Sequence, residues 1–180
     1  MNIAAIGTGI IVEGFLQAVE QLDGASCHAV YSRKEATAKK LADKFGVQTT
    51  YTDLTAMLED PHVEAVYIAS PNRLHSEHAT KALKHGKHVI CEKPFTSNVK
   101  ELEALIALAK EKQLLLFEAI TTVHMPNYHL IKKHLHQLGK IKLVQCNYSQ
   151  YSSKYNQLLA GETPNVFNPE FSGGALMDIN

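Results

Sequence analysis

The stretch His88-Val89-Ile90-Cys91-Glu92-Lys93-Pro94 constrains this chain more than any other. An apolar, β-type run ends abruptly in an acid, a base and a proline. Proline has no N–H and cannot continue a central strand, so the strand must stop there. Its tip then presents a carboxylate and an ammonium side by side. In an open parallel α/β sheet, ligands bind just beyond the carboxyl ends of the strands. The rest of the chain is therefore read for such a sheet, and for a cofactor site on the same edge.

The first unit fits. Residues 2–6 are a short apolar strand, followed by Gly7-Thr8-Gly9 and an apolar-periodic helix from Ile10 to about residue 22, with Ile11, Phe15, Ala18 and Val19 on one face. A strand, a glycine turn and a helix make a phosphate-binding arrangement, because the helix N-terminus offers free N–H groups and a partial positive charge. Gly7 permits the tight turn and Gly9 a close approach of the backbone. Gly7, Thr8, Gly9, Ile10 and Ile11 are thus candidate pyrophosphate contacts. The third glycine of G-x-G-x-x-G is absent: Val12 stands there and Gly14 comes two residues late. A plain β–α turn is the competing reading.

A second strand, 27–31, leads into Ser32-Arg33-Lys34-Glu35 and a helix to residue 45, closed by Gly46. Ser32 with Glu35 three residues on reads as a capping box. The same place lies roughly 20 residues past the glycines, where an NAD-binding fold sets an acid on the ribose 2′-hydroxyl. Here a hydroxyl and a guanidinium stand instead. They would bind the 2′-phosphate of NADP that a carboxylate would repel, so NADP is expected over NAD. Solvated helix-start residues are the other reading of Arg33 and Lys34.

Further strands are expected at 48–50, 63–69, 87–91 and 114–119, with helices at 53–58, 74–85 and from 97 or 98 to 112. The fourth strand ends at Ala69-Ser70-Pro71-Asn72, again a proline at the presumed ligand edge. Leu102, Leu105, Ile106 and Ala109 mark the core face of the last helix. This alternation is that of an α/β, doubly wound parallel sheet, complete by residue 120. Residues 121–180 then begin a second, incomplete α/β domain. It shows a helix at 126–138, a long strand at 141–151, loop at 152–171 and the first turn of a helix at 172–178. Without sheet neighbours, the strand at 141–151 is expected to pair with another copy, to fold back or to be disordered.

Composition narrows the partners. The 180 residues are 45% apolar and 20% charged, with zero formal net charge, ordinary values for a soluble globular chain. No basic stripe points to nucleic acid or to an anionic membrane. No apolar run reaches the roughly 20 residues of a membrane span. The N-terminus lacks the basic n-region of a signal peptide. Three widely spaced cysteines read as reduced residues of a cytoplasmic protein. His75, His78, His85 and His88 lack a supporting second cluster, so no metal site is expected.

Taken together, Gly7-Thr8-Gly9, Ala69-Ser70-Pro71-Asn72 before His75, Gly86-Lys87-His88-Val89 running into Cys91-Glu92-Lys93-Pro94, and Gly173-Gly174-Ala175-Leu176-Met177-Asp178 resemble the glucose–fructose oxidoreductase / inositol dehydrogenase (Gfo/Idh/MocA) family. The resemblance covers nearly the whole chain but little more than half of a typical member. It implies an N-terminal Rossmann domain and a C-terminal domain that carries much of the substrate pocket and the oligomer contacts, hence a homo-oligomer. It implies that Lys93 is the active-site lysine, that the Lys93–Pro94 bond is cis, that His75 lies near the nicotinamide, and that Asp178 sits beside the substrate. The His or Tyr to which the family gives the proton-transfer role would stand beyond Asn180. Ile120-Thr121-Thr122 departs from the aromatic and arginine of many NADP-using relatives.

The implied reaction moves a hydride between a nicotinamide and a sugar, polyol or similar hydroxyl or carbonyl compound. Such chemistry needs the carbon held against the nicotinamide and a group to manage the hydroxyl proton. A lysine at the sheet edge can bond that hydroxyl and stabilise charge on oxygen. Glu92 could orient the lysine or contact the nicotinamide side. The bland reading of the pair is an exposed ion pair of small worth, and that of His75 is an ordinary residue on an exposed helix face. The 180-residue chain alone is expected to be inactive, and a non-catalytic NAD(P)-binding module is the alternative function.

Overall fold

Six short runs pair into one parallel sheet in the order β3-β2-β1-β4-β5-β6. The strands are β1 (Asn2–Ile6), β2 (Ser26–Tyr31), β3 (Thr49–Tyr51), β4 (Ala65–Ile68), β5 (His88–Cys91) and β6 (Leu116–Glu118). The computed structural model describes residues 1–178. Strand order reverses between β1 and β4, and the connections after these two strands part to opposite sides there.

The period-2 alternation of the strands sorts their side chains between two cores. Ile3 and Ala5 of β1, with Val30, Ala65 and Tyr67, face α1 (Ile10–Val19) and α2 (Glu35–Phe45). Ala4 and Ile6, with Val66, Ile68, Val89 and Cys91, face α3 (Leu54–Glu59), α4 (His75–Lys84) and α5 (Val99–Lys112). Both faces are covered, which is why β4 is buried at every position.

The helix ends follow local chemistry. The Asp53 carboxylate accepts from the N–H groups of Thr55 and Ala56 at 2.7 and 3.0 Å, and Asn98 caps α5 by accepting from Glu101 N at 3.0 Å. The Ser32–Glu35 capping box does not form. Glu35 is the first residue of α2, and Lys34 stands at the cap without a side-chain bond. Thr37 Oγ1 donates to Lys34 O at 2.8 Å, so the 2.6 Å contact between Ser32 and Thr37 takes its hydrogen from Ser32.

The packed stripe of α1 is Val12, Leu16 and Val19, with Phe15 partly buried, rather than the face containing Ile11. Ile11 is 55% exposed because it lies in the first turn, at the ligand edge, beyond the reach of the sheet. Burying three such aliphatic side chains is worth about 1.5–3 kcal/mol each.

Beyond β6, α6 (Pro126–His134) continues as a 3-10 turn to Leu138. The long strand expected at 141–151 is not formed: residues 141–150 belong to no helix or strand and are exposed. A strand needs a neighbour for its N–H and C=O groups, and β6 is already the sheet's last member. The expected loop at 152–171 holds α7 (Tyr155–Leu159) and two 3-10 turns. Ala175–Asp178 forms α8.

Candidate dinucleotide site

Because the strands are parallel, the ends of β1, β4 and β5 lie on one edge, with Ile6, Ile68 and Cys91 in register across the three. A cleft of about 210 Å³ opens there, lined by Gly7, Thr8, Ser32, Arg33, Ala69, Ser70 and Pro71 of the expected site, and by Ile6, Tyr31, Leu74 and His78. Gly7 has φ +119°, and a Cβ on it would lie 2.6 Å from the Ala69 carbonyl oxygen. The bend after β1 therefore admits only glycine, and it presses against the bend after β4.

Gly9 caps α1 with extended backbone, and its carbonyl accepts from Val12 N and Glu13 N. The N–H groups of Ile10 and Ile11, which precede these, have no intrahelical carbonyl to meet. A Cβ on Gly9 would meet nothing within 4 Å, which leaves room for a ligand against the backbone. Ile10 and Ile11 border this turn with exposed side chains.

The pyrophosphate of a dinucleotide fits this turn. A second observation supports the fit. The two buried side-chain polar atoms without a hydrogen-bond partner among the described residues, Ser70 Oγ and His78 Nδ1, both belong to residues lining the cleft. Orphaned buried polar atoms are uncommon, and a polar ligand at the cleft would account for them. Burial pushes the His78 imidazole down to about 4, with Glu77 opposing, so the ring facing the cleft is neutral at physiological pH.

Lys93 lies two residues beyond the end of β5, on the same edge as the glycine bend and two strands across, about 10 Å at ordinary strand spacing. Its bond to Pro94 is cis. Glu92 is fixed by Tyr67, a buried residue of β4. Tyr67 donates from its hydroxyl to Glu92 Oε1 at 2.6 Å, and its ring stacks on Phe15 with centroids 3.7 Å apart. Burial, then the Glu92 carboxylate, hold the Tyr67 phenol well above its ordinary range, so it stays a donor. Glu92 Oε2 accepts from Lys93 N at 3.3 Å.

His75 is not on an exposed face. It is 1% exposed, and its two ring nitrogens lie 2.8 Å from the carbonyl oxygens of Pro94 and Ser70. It joins the loops after β4 and β5 from behind the cleft, and its ring does not line the cleft wall. Asn72 turns the other way, donating to Ser172 O at 3.2 Å, while Ser97 Oγ meets Ser172 Oγ at 2.6 Å. The turn at 172–174 is thereby seated against the same two loops. The side chain of Asp178 lies outside the described residues.

Among the described residues, His75, His78, His85 and His88 form no metal-binding group. No signal in the sequence marked Tyr31, Leu74 or His78 as cleft residues. Their spacing is that of an ordinary strand and helix, and only the packing of α4 on β4 and β5, which turns the His78 ring edge-on to Tyr31, brings them together.

Fold and site define a dinucleotide-binding α/β unit, with its ligand crevice at the point where strand order reverses. The chain belongs to the Gfo/Idh/MocA oxidoreductase family with an NAD-binding Rossmann fold, whose model matches residues 1–120. It is 46% identical over 179 residues to an uncharacterized oxidoreductase, YgjR, of Escherichia coli, and 43% identical over 179 residues to the scyllo-inositol 2-dehydrogenase (NADP(+)) IolU of Bacillus subtilis. Each match covers 99% of this chain and 55% of the relative, so the chain spans about half the length of these curated relatives. Among solved structures it is similar to KijD10, a 3-ketoreductase of Actinomadura kijaniata in complex with NADP and TDP-benzene, at a TM-score of 0.73 and 33% identity, over 76% of this chain and 42% of that one. A probable dehydrogenase from Thermotoga maritima matches at a TM-score of 0.72 and 28% identity, over 76% and 41%.

Proposed function

We propose that this chain is the cofactor-binding part of an NADP-preferring oxidoreductase that moves a hydride between the nicotinamide and a hydroxyl or carbonyl group of a sugar or polyol. The observation that carries the reading is the shared edge: the glycine bend, the wall containing Arg33, and Lys93 lie at the ends of β1, β2 and β5. The cofactor supplies the hydride chemistry when bound. Gly7, Thr8, Gly9 and the first turn of α1 would hold its pyrophosphate. Arg33 would meet the 2′-phosphate, with Ser32 a weaker partner because its hydrogen is engaged by Thr37. Lys93 would hold the substrate oxygen and stabilise charge developing there, and Asp178 would stand on the substrate side. His75 acts by joining the loop after β5, which carries Lys93, to the cleft-lining loop after β4.

The inositol dehydrogenase and ketoreductase named among the relatives support the substrate class. Residues 121–180 belong, in this reading, to a substrate-binding and assembly domain. Exposed Leu130, Ile131, Leu143 and Val144 supply apolar surface for a homo-oligomer.

Titration of the chain with NADPH and NADH, read by reduced-cofactor fluorescence, tests the cofactor assignment. NADPH should bind more tightly. Arg33→Ala should weaken NADPH by about 10- to 100-fold, the worth of a charge-assisted bond, and leave NADH nearly unchanged. Equal or tighter NADH binding by the wild type would remove the NADP assignment, and binding of neither would remove the dinucleotide reading.

A further inference from the structure

Away from the dinucleotide edge, a strand and the loop that leads into β4 bring together three side chains able to ligate metal. His28 lies in β2, while Asp60 and His62 lie between α3 and β4. One ligand atom from each lies within 4.8 Å of the others. His28 Nε2 stands 2.8 Å from Asp60 Oδ2, and His62 Nδ1 stands 3.1 Å from Asp60 Oδ1.

We propose that His28, Asp60 and His62 bind one divalent cation of the zinc class, in a site independent of the dinucleotide cleft. Two imidazole nitrogens and a carboxylate are a donor set suited to zinc. Bonds of about 2.0–2.2 Å to a single ion place neighbouring ligand atoms roughly 3.3 Å apart, and one ligand atom from each of the three side chains already lies within 4.8 Å of the others, so small side-chain rotations would close the set around an ion.

The carboxylate is held for this task by groups that are not themselves ligands. Tyr51 Oη donates to Asp60 Oδ2 at 3.0 Å, and the backbone N–H of His62 donates to Oδ1 at 2.8 Å. Such outer bonds orient a ligating group and tune its affinity. The Asp60 side chain is 9% exposed, so its orientation is fixed, while the His62 side chain at 72% offers the ion a way in. The Lys87 ammonium, the nearby cation, bonds the carbonyl oxygens of Asp60 and Val63 rather than the carboxylate. A tetrahedral ion would keep its fourth position for water.

Proton balance sets the pH dependence. In the metal-free form a ring N–H of each histidine donates to the carboxylate. For an ion to enter, Nε2 of His28 and Nδ1 of His62 must present lone pairs. A neutral ring moves its proton to the other nitrogen through solvent, and a charged ring releases one proton. Binding therefore weakens in acid. An ion here would cross-link β2 to a loop 32 residues away in sequence, and so favour the folded chain.

The test is calorimetric titration of metal-stripped protein with Zn²⁺ at pH 7.5, in a Cys146→Ser background because that thiol is exposed. One equivalent should bind, with a higher melting temperature and weaker binding at pH 5.5. His28→Gln and His62→Gln should each lower the affinity at least tenfold, and His85→Gln, on the exposed end of α4, should change nothing. His62 is exposed enough that its variant will fold, which circular dichroism will verify. The proposal is overturned if the parent protein takes up no stoichiometric zinc, or if His62→Gln binds it as tightly as the parent. Neither result bears on dinucleotide binding, which is measured separately.

Discussion

Lys93 owes its place to Tyr67 as much as to Pro94. Proline ends β5, but the strand tip would be a loose acid–base pair if nothing gripped Glu92. Tyr67, stacked on Phe15, grips it from the core. An exposed ion pair on a flexible loop contributes little; here one carboxylate oxygen is tied to a buried phenol. The lysine is thus presented from a rigid base, as its proposed role in holding the substrate oxygen would require. In any version of the protein that turns over, Lys93→Met should lower kcat by about 10²–10³, the usual worth of a donor to a developing oxyanion, with NADPH affinity nearly unchanged. Steady-state kinetics beside cofactor titration will show it, and unchanged turnover would strip Lys93 of its role. The acid, the base and the proline were legible in the sequence. Tyr67 was not, because an aromatic residue in an apolar strand reads as core, and it is core as well.

Among the helices, α4 couples the cofactor cleft to stability. Its His78 ring is 8% exposed, and burial lowers its pKa from the ordinary 6.5 to about 4. Between those values the unfolded chain takes up a proton that the folded chain does not. The stability that rests on the neutral ring is therefore complete above about pH 6.5 and is lost as the pH falls toward 4. The loss is on the order of 1–3 kcal/mol. Urea unfolding at pH 7 and pH 5 should show the decline in the wild type, with a smaller one in His78→Gln; equal declines would exclude His78 as its source. The sequence announced α4 by its period and by Gly86 at its end. It did not announce which imidazole would be buried behind the loops and which would face the cleft. His75 and His78 are one turn apart, and only the packing of α4 on β4 and β5 separates their surroundings.

At the scale of the molecule, every hydrophobic residue buried among those described lies at or before Ala109, and the partly buried residues packed on the two cores end at Ala119. The packed interior thus ends just before residue 120, and we place the proposed domain boundary there on that ground. Residues 126–151 instead expose apolar side chains, among them Leu138, Leu143 and Tyr151, and 141–150 lack the backbone pairing of a helix or strand. Brief proteolysis should cut first after residue 120, above all within 141–150, and leave the sheet intact, as mass spectrometry of the fragments will show. Early cleavage inside β1–β5 would contradict this boundary.

Local chemistry by itself determined β1–β6, α1–α5, the glycine bend and the proline stops, because apolar period, caps and the missing proline N–H act over a few neighbours. Tertiary structure alone decided what depends on residues far apart in the chain. It set the stripe that α1 buries, the grip of Tyr67 on Glu92, the clamp made by His75, and the meeting of His28 with Asp60 and His62. It also left 141–151 without a strand, since hydrogen bonds between strands need a partner that no single segment carries.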